Sequence, residues 1–291
     1  MTNTSSHTSQ TPHRPVIALL TDFGLKDSFV GVLKGVMLGI APDAQLIDIT
    51  HAIAPQNVAS GAWTLAIAYR YFPVGTVFAC VVDPGVGSTR HPIAVHAGDW
   101  YFVGPDNGLF SAILREQPVH GVVTLANPAY QLPQVSTTFH GRDIFAPAAA
   151  HLAGGLALSE LGPHLDPASL QMLPGNDATR SASTVRGRVA HIDTYGNIIT
   201  NIPSTLVPDL FSSSHAAMTF PDQLVNVTQR RHFFSEQSAG NEEENGTDAP
   251  FFYVASSGYV AVAINGGNAA HSLGISYDAP ITFVLSEHAP E

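Results

Sequence analysis

The chain has 291 residues, which at about 150 residues per domain suggests two domains, and only 12% of them are charged, against about 25% in ordinary soluble chains. With 12 Lys and Arg against 23 Asp and Glu the net charge is -11, which argues against a phosphate-backbone partner such as nucleic acid; the sparse charge favours an oligomer with buried surface. Cys80 is the single cysteine and sits in the apolar run VFACVV, so an intrachain disulfide and a Cys-based metal site are excluded and a reducing, cytoplasmic setting fits.

Residues 1–14 (MTNTSSHTSQTPHR) are polar and lack the apolar segment of a secretory signal, so they read as a disordered tail. No apolar run reaches the roughly 18 residues expected of a membrane span. From Val16 onward, short β-branched runs alternate with helical stretches. VIALLT, AQLIDIT, TVFACVV and DWYFVG read as strands, while Ser28 to Ile40 and Val58 to Tyr71 have the spacing of amphipathic helices. The alternation predicts an α/β domain over residues 15–170, with a mainly parallel sheet between helices. Ligands of such sheets bind at the carboxyl ends of the strands. Pro, Gly, Ser and Asp then crowd the chain, and residues 171–184 read as a linker. Over 185–291, RGRVAHID, NIITNI, PFFYVASS and YVAVAIN predict a smaller antiparallel β-barrel or sandwich. Within it, the acidic segment 235–250 reads as a mobile surface loop.

Three motifs of the first domain carry polar residues where a parallel sheet collects its chemistry. Thr21-Asp22-Phe23-Gly24 follows the first strand, and Asp22 is placed either to accept hydrogen bonds from a ribose diol or to cap the next helix. Asp83-Pro84-Gly85-Val86-Gly87-Ser88-Thr89-Arg90 leaves the most strongly buried strand; its glycines allow a tight loop near a ligand, though Asp-Pro-Gly is also an ordinary turn. His140-Gly141-Arg142-Asp143 lies between apolar flanks, where each polar group requires a partner, and Arg142 with Asp143 either serves a site or stabilises a loop or caps the Ala-rich helix that follows. The second domain adds His191-Ile192-Asp193-Thr194-Tyr195-Gly196-Asn197, a hairpin signal, and Asn265-Gly266-Gly267-Asn268-Ala269-Ala270, a turn before a short helix. The 14 His are dispersed without an HExxH pair, and neither a GxSxG elbow nor a Walker loop is present. The DFG triplet lacks the other kinase motifs.

Taken in order, TDFGLKDSFVG, IDITHAIAP, DPGVGSTR, FHGRDIFAP, IDTYGNIITNI and NGGNAA resemble the S-adenosyl-L-methionine hydroxide adenosyltransferases, relatives of the fluorinating and chlorinating enzymes that attack the same sulfonium substrate. The resemblance covers about residues 16–283. It implies an α/β domain followed by a β-rich domain, and a homotrimer whose sites lie between one subunit's first domain and its neighbour's second. It implies that Asp83, Arg90 and His140 position and activate water, that Asp22 binds the ribose, and that Asp193 holds the methionine amino group. Asn197 and the backbone at Ala269 resemble adenine-recognition positions, and Ser256 resembles a methionine-contacting serine. Gly141 stands where the fluorinating enzyme has a halide-binding serine, and Asp83 where it has a tyrosine, so the resemblance implies water rather than halide as nucleophile. S-adenosyl-L-methionine is then the substrate, with no metal and no other cofactor. Two other classes remain: a sensor that binds the same ligand without turnover, and a metal-dependent nucleoside or phosphoester hydrolase, which a chelator would inhibit.

Overall fold

The computed structural model describes residues 14–174, 178–234, 236 and 249–286. All of the expected tail but Arg14, residues 175–177 of the expected linker, and positions 235 and 237–248 of the expected acidic loop lie outside the described residues. The chain divides into two units, one ending at Leu173 and the other beginning at Pro174.

Among the described residues the first unit is built on six strands: β1 (Val16–Thr21), β2 (Gln45–Thr50), β3 (Val77–Val81), β4 (Pro92–Ala97), β5 (Trp100–Pro105) and β6 (Val119–Thr124). Their order is β2-β1-β3-β5-β4-β6. The four strands expected from sequence pair in parallel, β1 with β2 and β3, and β3 with β5. The two unexpected ones, β4 and β6, are antiparallel, so the sheet is mixed. Side-chain alternation sets the layers. Ile17, Leu19, Val77, Ala79 and Val81 point to one face, against Leu33 and Met37 of α1 (Phe29–Ile40). Ala18, Leu20, Phe78, Cys80 and Val82 point to the other, against Leu65 of α2 (Val58–Ala68) and Ile113 of α3 (Ser111–Glu116). A strand covered on both faces must be apolar throughout, which is why β3 reads as an unbroken hydrophobic run. Each such Leu or Phe stabilises the fold by roughly 1.5–3 kcal/mol. The Asn57 side chain caps α2 by accepting the Ser60 N–H at 2.9 Å. Gly61 lets the helix pack closely, since a Cβ there would lie 2.9 Å from Leu109 Cδ1 and 3.1 Å from Val82 Cγ2 at the end of β3. The Ala-rich α4 (Ala146–Ala153) joins the α1 face and is almost wholly buried.

Among the described residues the second unit carries α5 (Ala269–Leu273) and nine strands: β7 (Thr179–Ser181), β8 (Thr184–Ile192), β9 (Ile198–Pro203), β10 (His215–Phe220), β11 (Val225–Val227), β12 (Gln229–Arg230), β13 (Phe251–Val254), β14 (Tyr259–Ala263) and β15 (Pro280–Ser286). The path runs β11-β10-β15-β8-β9-β14-β13-β12, with β7 beside β8. Every pairing among the described residues is antiparallel except that of β12 with β13. Strands β10 and β12, near opposite ends of the path, approach each other, so the sheet curls toward a barrel. Val185, Ile198, Met218, Phe252, Val262 and Phe283 fill its interior.

Candidate active site

Parallel pairing delivers two carboxylates to the carboxyl ends of neighbouring strands in the first unit's sheet. Thr21 of β1 stands opposite Val81 of β3, so Asp22 and Asp83 follow one and two residues beyond neighbouring strand ends, about 4.8 Å apart in strand spacing. Both line a cleft of about 220 Å³, together with Phe23, Phe29, Val81, Val86 and the segment Thr138–Gly141. The aromatic rings of Phe23, Phe29 and Phe139 meet edge to face, with centroids 5.1 to 6.0 Å apart, and give the cleft a largely apolar wall.

At the cleft, Arg90 holds Asp83 and His140 together. Its Nε donates to Asp83 Oδ1 at 3.1 Å and Oδ2 at 2.9 Å, and a terminal nitrogen pairs closely with Oδ2. The side chains of Arg90 and Asp83 are only 9% and 5% exposed, so this pair is largely removed from solvent screening. The same terminal nitrogen lies 2.8 Å from His140 Nδ1. A guanidinium can only donate, so Nδ1 is the acceptor and the ring is neutral with its proton on Nε2. Electrostatics agree with that protonation state. Burial first, and then the Arg90 charge, hold the imidazole below its ordinary value, while Asp83, Asp143 and a Ser136 backbone contact oppose them. The Phe145 ring lies 5.3 Å from the guanidinium carbon and adds a cation–π contact.

Local structure explains how residues 50 apart come together. Gly141–Phe145 forms a π-helical turn leading into α4, an irregularity frequent at functional sites. His140 stands at its start. Asp143, fully buried, accepts the Ser136 N–H at 2.8 Å and pairs with Arg142, which ties the preceding loop to the turn. This favours the loop-stabilising reading of Arg142 and Asp143. Gly87 closes the other side. Its φ is +77° and a Cβ would lie 2.5 Å from the Thr137 carbonyl oxygen, so only glycine lets the Asp83–Arg90 loop rest on the His140 loop. At Gly141 a Cβ would meet Phe23 and Phe139 at 3.3 Å, so a serine there would crowd the aromatic wall.

Asp22 does not cap α1, whose first turn receives no side-chain cap. Its Oδ2 accepts the Gln56 N–H at 2.7 Å, and among the described residues Oδ1 has no hydrogen-bond donor and remains available to a ligand.

The second unit gathers a separate polar group. Asp193 Oδ1 accepts the backbone N–H of Tyr195 and of Asn197, both at 2.9 Å, and Oδ2 accepts the Asn197 side-chain amide at 2.8 Å. Gly196 packs against Asn268, and the Ala270 N–H donates to the Gly196 carbonyl at 2.9 Å, so the turn is docked on the start of α5 at Ala269. Tyr253 is buried nearby, its phenol pushed up to about 12 by burial and then by the Asp193 charge. Ser256 lies apart in the exposed β13–β14 turn. Tyr259 pairs with Pro203 and Val262 with Ile198, which puts Ser256 and Asn197 at opposite ends of the β9–β14 pair. Sequence reasoning missed the aromatic trio and Gln56. The three phenylalanines stood inside quoted motifs, but no spacing signalled their meeting.

An apolar-walled cleft with two carboxylates at the strand ends of an α/β unit, followed by a curled antiparallel unit, places the chain in the α/β plus β class. The chain belongs to the SAM hydroxide adenosyltransferase family: models of that family's N-terminal and C-terminal domains match residues 17–162 and 187–282. It is 38% identical over 263 residues to the (R)-S-adenosyl-L-methionine hydrolase of Salinispora tropica, covering 90% of this chain and 95% of that one. The (R)-S-adenosyl-L-methionine hydrolase of Thermus thermophilus is 37% identical, with 92% and 98% covered. Among solved structures, an uncharacterized conserved protein from Thermotoga maritima aligns with a TM-score of 0.83 at 35% identity, covering 92% of this chain and 99% of that one.

Proposed function

We propose that this chain hydrolyses S-adenosyl-L-methionine to adenosine and L-methionine by in-line attack of an activated water on the ribose C5′. The observation that carries the reading is the Arg90 guanidinium bridging Asp83 and His140 at the cleft that Asp22 also lines. Family membership supports it. The sulfonium makes methionine a neutral leaving group, so no acid is needed at sulfur and no cofactor enters. Water needs orientation and loss of a proton. Because His140 Nδ1 is engaged by Arg90, Asp83 is the group that takes the proton as the C5′–O bond forms and the C5′–S bond breaks. Arg90 stabilises developing hydroxide character and keeps Asp83 aimed, and His140 fixes Arg90. The proton then leaves to solvent, balancing a cationic substrate against two neutral products. Incubation with S-adenosyl-L-methionine followed by mass spectrometry should yield adenosine and methionine in equal amounts, undiminished by a chelator.

The cleft of about 220 Å³ is smaller than the roughly 300–1,000 Å³ of a typical ligand pocket. That supports a site completed from outside the first unit. In this reading the chain is a cytoplasmic homotrimer in which a neighbouring subunit contributes Asp193 to the methionine amino group, Asn197 and the backbone at Ala269 to the adenine, and Ser256 to the methionine end.

Two expected results follow from single groups. Asp22→Ala should weaken substrate binding by about 1.5–3 kcal/mol, the worth of a hydrogen bond to a charged group; an unchanged dissociation constant in calorimetry would contradict the ribose assignment. The second concerns pH. His140 is held below the ordinary histidine value of about 6.5, so the neutral form on which Arg90 rests persists as pH falls through that value and is lost only further down. The sign holds for stability too: the folded state binds fewer protons than the unfolded one there, and this contribution fades as pH drops. The acid limb of kcat/KM against pH, which reports the free enzyme, should therefore lie below pH 6.5 or so, and a limb centred above it would count against this state of His140.

A further inference from the structure

The motif IDITHAIAP has no role in the chemistry above, yet it underlies the Asp22 loop. His51, 4% exposed, grips that loop on both sides of Asp22. Its Nδ1 lies 2.8 Å from the Thr21 hydroxyl, itself fully buried, and its carbonyl accepts the Gly24 N–H at 2.7 Å. The Thr21 Oγ1 in turn accepts the Phe23 N–H at 3.2 Å. On the far side, the buried Nε2 lies 3.1 Å from Asp48 Oδ1. Lys34 of α1 pairs with the other Asp48 oxygen at 2.6 Å. Burial raises the Asp48 carboxyl, but Lys34 and His51 outweigh it and hold the group below its ordinary value. An ionised Asp48 facing Nε2 favours the imidazole proton there, which leaves Nδ1 to accept from Thr21. Five residues further on, Gln56 adopts φ +64° and donates its N–H to Asp22 Oδ2. One segment thus fixes the Asp22 backbone through His51 and one of its carboxylate oxygens through Gln56.

We infer that His51 is a positioning residue for ligand recognition: the line Lys34–Asp48–His51–Thr21 presets the Asp22 carboxylate to receive a ribose diol. The inference rests on the proposed ribose role of Asp22. Preorganisation lowers the ordering cost of binding without adding a contact to the ligand. His51 should therefore matter to adenosine, which carries the diol, and not to methionine, which lacks it.

Calorimetry on the full chain separates the possibilities, with adenosine and methionine as the probes. His51→Ala should weaken adenosine binding on the order of tenfold, the worth of about one hydrogen bond, and leave methionine binding unchanged. His51→Asn, which can restore a polar group near the Nδ1 position, should recover part of the loss. Thr21→Val keeps the buried volume and removes only the hydroxyl, so it serves where a cavity at His51 prevents folding, and it should reproduce the adenosine effect. In an Asp22→Ala background the His51 and Thr21 effects should vanish, because residues acting through one another are not additive. If Asp22→Ala alone leaves adenosine binding intact, the ribose reading fails. If Asp22→Ala weakens binding but the His51→Ala loss persists undiminished beside it, or equals the loss for methionine, the positioning role is overturned.

Discussion

Asp83→Asn should lose turnover about 100-fold to 10,000-fold, the range of a general base, while binding S-adenosyl-L-methionine nearly as well as the parent chain. Asn keeps the size of the side chain and one hydrogen-bonding oxygen, so the Arg90 contact survives in part, but the negative charge that accepts the proton is gone. A loss confined to the chemical step lowers kcat without a matching rise in KM. Single-turnover rates measured beside a direct binding constant check this. A variant that turns over at the parent rate would make Asp83 a loop residue and restore the ordinary-turn reading of Asp-Pro-Gly; a collapse of binding instead would make it a substrate-holding group.

Arg90→Ala should be more damaging still, because it acts on stability and chemistry together. Arg90 and Asp83 are both nearly buried, and removing one partner of such a pair leaves an uncompensated charge at a cost of about 3–5 kcal/mol. The same change frees His140 Nδ1 from its donor and removes the cation from the site of developing hydroxide. Denaturant midpoints should therefore fall sharply, and residual activity should lie below that of Asp83→Asn. Combining the two substitutions should restore part of the lost stability, since the unpaired carboxylate disappears with its charge. Additive destabilisation in the double variant would show that the pair does not act as a unit.

The parallel half of the first unit was readable because its strands are covered on both faces and so lack polar interruptions: VIALLT and TVFACVV could be little else. Strands β4 and β6 escaped because PIAVHA and VHGVVT are broken by His and Gly, and Pro opens β4. The Gly98-Asp99 pair between β4 and β5 was nonetheless a two-residue hairpin signal. Strand β15 was missed although PITFVLS buries Ile281, Phe283 and Leu285 at a period of two. For the site, the position of Asp22 and Asp83 at strand ends followed from topology alone. The Arg90 to His140 contact did not, because it depends on a π-helical turn and on a glycine at φ +77°, neither of which has a local sequence pattern. A loop-stabilising role for Asp143 was one of the open alternatives, but its partner Ser136 was not legible in the sequence. The grip of His51 on the Asp22 loop lay beyond sequence reading, since Thr21 and His51 are 30 residues apart.

In the proposed reaction water is the nucleophile and C5′ the carbon attacked. Turnover of S-adenosyl-L-methionine in water enriched in the heavy oxygen isotope, with mass analysis of both products, tests this most directly. The account predicts one solvent oxygen at the 5′ position of adenosine and none in methionine. Adenosine without the label, or label in methionine, would contradict it.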